Sequence, residues 1–212
     1  GRGRRGHRHG NLKQALVDAA LRLIEEKGPT GFTLSEAAKT AGVTPAAVYR
    51  HFEGREQLIE ECARQGHEIC ADLMAHAFNG GQPSALAAFE ATGRAYLAFA
   101  RKFPGHYMAM FESGTSINAT PELAAAAARS REVLERAAEA LSEHIPDGKR
   151  PPPSMFSAHI WAMSHGVVGL FARCRPVAQP PFPPELLLEA GIGSYPRGPS
   201  LIRPYCLKPR NY

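Results

Sequence analysis

Cysteine is scarce in this chain of 212 residues: Cys62, Cys70, Cys174 and Cys206 are the only four. No two stand at C-x-x-C spacing, and the chain is neither short nor cysteine-rich. That argues against a disulfide scaffold and leaves reduced thiols in a cytosolic protein as the expectation. No apolar run approaches the roughly 18 residues that a membrane-crossing helix needs. The basic N-terminus is followed by no apolar signal core, so export is not expected. Strand-like alternation of any length is missing too, which points to an all-α chain. There is no G-x-S-x-G elbow, no phosphate-binding glycine loop and no H-E-x-x-H. Enzymatic chemistry and a cofactor are therefore not expected.

Acidic residues are short in one place only. Residues 1–55 hold ten Lys and Arg against five Asp and Glu, whereas residues 56–212 hold fifteen of each. The whole excess of +5 lies in the first quarter of the chain. A basic module joined to a neutral body is built to meet a polyanion, although Arg2, Arg4, Arg5 and Arg8 would also suit a solvated tail. The rest is ordinary for a globular protein, with 44% apolar and 21% charged residues.

Residues 1–9 have no apolar side chain and read as a flexible arm. A helix is expected from Asn11, because Leu12, Leu16, Ala19, Ala20, Leu23 and Ile24 recur at three- and four-residue steps. Gly28-Pro29 ends it. Thr33 to Glu36, "TLSE", is a capping box that opens a short helix, and Gly42 stops it. Thr44 caps again, with Pro45 at the first helical position, and this second short helix is expected to end near His51. Two small helices joined through "TAGVT" have a helix-turn-helix layout, with Ala37, Ala38, Val43, Val48 and Phe52 as its core.

Further helices are read over about 55–78, with Leu58, Ile59, Cys62, Ile69, Leu73 and Phe78 on the buried side, and over about 83–102. They continue as a short piece in "FPGHYMAMFESG", then from Thr120-Pro121 to about His144, over 154–174, and in "ELLLEAGIGSY". Pro196 and Pro199 open an irregular tail.

The small residues Thr44, Pro45, Ala46 and Ala47 would let a helix start sit deep in a major groove. Tyr49 and His51 can donate to phosphate, and Arg55 adds a cation at a helix N-terminus. The plainer alternative is that Tyr49 and His51 are ordinary surface residues of a small bundle.

"TLSEAAKTAGVTPAAVYRHFEGREQLI" resembles the DNA-binding domain of TetR-type transcriptional regulators. The shared features are Ala37-Ala38, Gly42-Val43, Tyr49-x-His51-Phe52 and Gly54-Arg55-Glu56-x-Leu58. The resemblance implies phosphate contacts from Tyr49, His51 and Arg55, and base reading from Thr44 to Ala47. It also implies contacts near the start of the first short helix, at Thr33 and Ser35. "IWAMSHGVVGL", with Trp161, His165 and Gly166, resembles the TetR branch named for its Trp-His-Gly signature.

By this resemblance the fold is a three-helix DNA-binding domain followed by a helical domain for effector binding and dimerisation. The expected division is a basic arm over 1–10, the DNA-binding domain over 11–55, the effector and dimerisation domain over 56–195, and a proline-containing tail over 196–212. The expected partners are double-stranded DNA carrying an inverted repeat, a small and mainly apolar effector, and a second copy docked through the last two long helices. The protein is expected in the cytoplasm and away from membranes. Its function would be that of a repressor released by its effector. A DNA-binding regulator without an effector is the alternative, and an all-α enzyme a more distant one.

Effector candidates are His106, Tyr107, Met110 and Phe111, an adaptable apolar wall with polar groups, together with Trp161 and His165, four apart on one helix face. Plain core packing competes with both, and for Trp161 and His165 a satisfied core histidine against an aromatic is the preferred reading. Of Cys62, His67, Cys70 and His76, only His67 and Cys70 face each other, so no metal site is expected.

Overall fold

The computed structural model describes residues 3–146, 150–172, 176 and 178–197. No strand occurs among them. The α-helices are α1 (Gly3–Lys27), α2 (Leu34–Ala41), α3 (Pro45–Val48), α4 (Arg55–Phe78), α5 (Ala85–Lys102), α6 (Pro104–Phe111), α7 (Pro121–Ser142), α8 (Pro153–Val167) and α9 (Pro184–Arg197). A π-turn, Val168–Ala172, follows α8.

Two compact units are present, residues 1–73 with 98–132 and residues 74–97 with 133–212. They differ from the division expected at residue 55, because most of α4 goes with the helix-turn-helix and α5 and α7 are each shared. In the first unit, the apolar stripe of α1 is buried at Leu16, Ala19, Ala20, Leu23 and Ile24. Phe32, Val48, Phe52, Leu58, Ile59 and Cys62 are buried in the same unit. Each large apolar side chain taken fully from water stabilises the fold by about 1.5–3 kcal/mol. The second unit buries Phe89, Leu97, Val133, Leu141, Phe156, Ile160 and Leu188.

Five details depart from the sequence reading. Helix α1 begins at Gly3, so residues 3–10, read as a flexible arm, continue the helix. Propagating an existing helix costs far less than nucleating one, and Arg4, Arg5 and Arg8 are good helix formers. Helix α3 stops at Val48, because the amides of His51 and Phe52 both return to the Val48 carbonyl, at 2.9 and 3.0 Å. On α4, Leu73 is 38% exposed while Met74 is buried. Met74 continues the buried stripe of Cys62-Ala63, Gly66-His67 and Cys70-Ala71, which advances by four residues at a time and leaves Leu73 to one side. Helix α9 takes Pro196 into its last turn and ends at Arg197, so the irregular tail expected from Pro196 does not begin there. The rest of the tail, 198–212, lies outside the described residues. Finally, Ser154–Ala172 is long and apolar enough to cross a membrane by length and composition alone, with 33% of it buried. Scattered Ser and His residues hide that length from a search for unbroken apolar runs.

Candidate nucleic-acid interface and effector residues

The two caps form as the sequence requires. Thr33 Oγ1 accepts from the Glu36 amide at 3.2 Å, and Glu36 Oε2 accepts from the Thr33 amide at 2.9 Å. Glu36 Oε1 also takes the Lys27 ammonium at 2.7 Å. The Lys27 hydrogen bond and the Thr33 amide hold the Glu36 carboxyl below its ordinary range. Gly42 ends α2 at φ 71°, a left-handed conformation that only glycine adopts at no steric cost. Thr44 Oγ1 then accepts from the Ala47 amide at 3.3 Å, with Pro45 as the first residue of α3. Both threonine hydroxyls use an acceptor lone pair for capping and keep their proton to donate elsewhere.

Thr33, Ser35, Thr44, Pro45 and Ala46 are exposed, and Ala47 is half-buried. Tyr49, the C-cap of α3, is 62% exposed. Sequence reasoning passed over two more exposed cations here, Lys39 and Arg50. Their charge inside the basic module was the signal that marked them.

His51 and Arg55 sit differently. His51 is half-buried and lines a groove of about 390 Å³ with Lys13, Phe52, Glu60 and Thr120. Arg55 turns inward, with Nη1 donating to the carbonyls of Thr30 at 3.0 Å and Phe32 at 3.2 Å. The guanidinium thereby fastens the chain ahead of α2. At the start of α4 the Glu53 amide is already taken by Gln57 Oε1 at 2.9 Å.

The effector candidates divide between the units. In the first, Tyr107 and Met110 are buried, and His106 and Phe111 are half-buried. Tyr107 and Phe111 have ring centroids 5.1 Å apart. Burial lowers the His106 pKa, and Asp18 opposes that shift weakly. Two residues not assigned to the site from the sequence join this group. His67, buried on α4, meets the edge of Phe111 at 5.9 Å and places Nδ1 3.0 Å from Ser130 Oγ on α7. In the second unit, Trp161 and His165 have ring centroids 5.9 Å apart, and His165 Nδ1 lies 2.9 Å from the hydroxyl of buried Tyr96. Trp161 is 51% exposed, which departs from a packed core pair. No group of three metal-ligating side chains occurs among the described residues. Cys62 and Cys70 are buried free thiols, both pushed up by burial, Cys70 to about 12.

Residues 16–62 match the family described as bacterial regulatory proteins, tetR family, and residues 89–195 match the tetracyclin repressor-like C-terminal domain. The chain belongs to the tetR family. Members of that family are regulators, and the enzyme alternative falls with this result. The regulator BetI of Rhizobium meliloti is 51% identical over 47 residues, which is 22% of this chain and 23% of that protein. The uncharacterised regulator YobS of Bacillus subtilis is 29% identical over 102 residues, 48% of this chain and 52% of that protein. These matches cover between about a quarter and a half of the curated relatives' lengths.

Among solved structures, a protein of unknown function from Rhodococcus sp. RHA1 superposes with a TM-score of 0.72 at 25% identity, over 88% of this chain and 94% of that one. The tetR-family regulator PfmR of Thermus thermophilus gives 0.66 at 17% identity, over 86% of this chain and 97% of that one. At that identity PfmR bears on the fold alone.

Proposed function

We propose that this tetR-family chain is a transcriptional repressor that binds an inverted-repeat operator as a homodimer and is released by a small, mainly apolar effector. The observation that carries the DNA reading is the exposed, Thr44-capped start of α3 followed by exposed Tyr49. Thr44, Pro45, Ala46 and Ala47 offer few hydrogen-bonding groups. Specificity then comes from thymine-methyl contacts, the backbone and DNA shape. Thr33, Ser35 and Tyr49 hold phosphates, with His51 at the groove edge. Arg55 acts by holding the α1–α2 connection through Thr30 and Phe32.

The homodimer reading is supported by α8 and α9. Met155, Trp161, Leu170, Phe182 and Leu186 are large apolar side chains between 45% and 58% exposed. Exposed apolar groups of this size around a largely unburied apolar helix are what a second copy would cover. On this reading the division of labour places DNA binding in residues 11–55 and effector response and dimerisation in 56–195. Trp161, His165 and Gly166 act as the branch signature, and the protein works in the cytoplasm.

An effector acts only through different affinities for the DNA-competent and DNA-incompetent dimers. Selection of bound duplexes from a random pool tests the reading. The expected product is an inverted repeat whose half-sites are about one helical turn apart. Enrichment of no sequence at low salt contradicts it.

A further inference from the structure

His67 carries a group that the fold leaves unmatched. The residue is only 5% exposed, and its Nε2 is buried with no hydrogen-bond partner among the described residues. A buried polar atom left in that state costs about 1–3 kcal/mol, and native interiors rarely tolerate one.

The other ring nitrogen shows which kind of partner is missing. Ser130 Oγ lies 3.0 Å from His67 Nδ1 and also donates to the Ala127 carbonyl at 3.0 Å. A hydroxyl has one proton. With that proton on Ala127, Nδ1–H must be the donor to Ser130, and Nε2 is then a bare lone pair. Burial also keeps the ring neutral, with its pKa pushed down to about 4.

The walls around this histidine are apolar. Phe111 presents an aromatic ring to it, and the adjacent Gly66 brings α4 against Met110: a Cβ at Gly66 would lie 2.6 Å from Met110 Sδ. Met110 is unbranched and flexible, the kind of side chain that yields room to a ligand.

We propose that His67 is the polar handle of the effector site, and that the effector is an uncharged, mainly apolar molecule donating one hydrogen bond, from a hydroxyl or N–H, to His67 Nε2. The proposal rests on the reading of the chain as effector-responsive. It adds a residue outside the six candidates named from the sequence and selects a ligand class. A carboxylate is disfavoured, because it meets a lone pair where it needs a proton.

Three matched probes test this on the full chain: 1-naphthol, naphthalene and 1-naphthoate, each followed by thermal shift and by direct titration. The expected order of affinity is naphthol above naphthalene, with naphthoate weakest. In His67→Phe the advantage of naphthol, about ten-fold in the native protein, is lost while naphthalene binding remains. Nitrogen-15 spectra of the native imidazoles, which need no variant to fold, are expected to show His67 as the Nδ1–H tautomer.

Equal binding of naphthol and naphthalene to the native protein overturns the proposal and leaves water alone at Nε2. Binding of none of the three, or an Nε2–H tautomer, overturns it as well. Duplex binding is measured on the same preparation. If it persists without any donor preference, this inference alone fails; if it is absent, the DNA reading fails.

Discussion

The Lys27 ammonium lies 2.7 Å from Glu36 Oε1, while the other oxygen of that carboxylate caps the Thr33 amide at 2.9 Å. One side chain thus starts α2 and fastens it to the end of α1. The folded protein holds the Glu36 pKa below its unfolded value. Its stabilising effect is therefore present above the unfolded value of about 4.3 and is lost as pH falls through the folded value. Glu36→Gln is expected to flatten the acid limb of the stability curve. Thr33→Ala is expected to cost about 0.5–2 kcal/mol at every pH. Thermal unfolding across the acid range measures both.

Arg55 separates a structural role from a DNA contact. Its Nη1 reaches two backbone carbonyls, at 3.0 and 3.2 Å, a geometry that a single ammonium does not reproduce. Arg55→Lys is expected to lose about 1 kcal/mol of stability. It is also expected to weaken duplex binding without changing its salt slope. A direct phosphate contact would instead make the slope differ by about 0.9 between native protein and Arg55→Ala.

His67 gives the opposite end of the pH argument. Its folded pKa, about 4, lies below the unfolded value of about 6.5. Protons then bind the unfolded chain preferentially as pH falls between those values. Stability is expected to decline across that window by roughly 3 kcal/mol, with His106 adding to the loss in the same direction. Urea titrations of native protein and His67→Gln from neutral to acid pH check it. A smaller decline in the variant is expected.

The dimer reading is testable at one residue of α8 and one of α9. Trp161, 51% exposed, and Leu186, 49% exposed, are large apolar groups whose replacement leaves each unit's core intact. Trp161→Lys with Leu186→Lys is expected to shift sedimentation from dimer to monomer while the helical circular dichroism is kept. An unchanged dimer places the interface elsewhere.

The parts of the fold fixed by local chemistry could be read from the sequence. The Thr33 and Thr44 caps, the Gly42 stop and the start of α4 at Arg55 each depend on residues within one or two turns, and they form as their spacing requires. Features set by distant partners could not. Arg55 has its partners 23 and 25 residues upstream, so from the sequence it reads as a free cation. His67 has its serine 63 residues away on α7, and no spacing rule connects them. On α4 the buried stripe advances by four residues at each step and so reaches Met74 in place of Leu73. The expected arm became helix for a related reason: without apolar residues it has no periodicity of its own, yet a packed helix already stands at its end.

The most direct test is salt-dependent binding of a selected inverted-repeat duplex by the native protein and by Tyr49→Ala. Tyr49 is 62% exposed and caps α3, so the substitution is expected to leave the melting temperature within about 0.5 kcal/mol equivalent of native. The account predicts a steep loss of affinity with salt in the native protein, as phosphate contacts require, and clearly weaker binding in the variant at every salt concentration. Equal affinities for the two proteins, or binding that does not respond to salt, would contradict it.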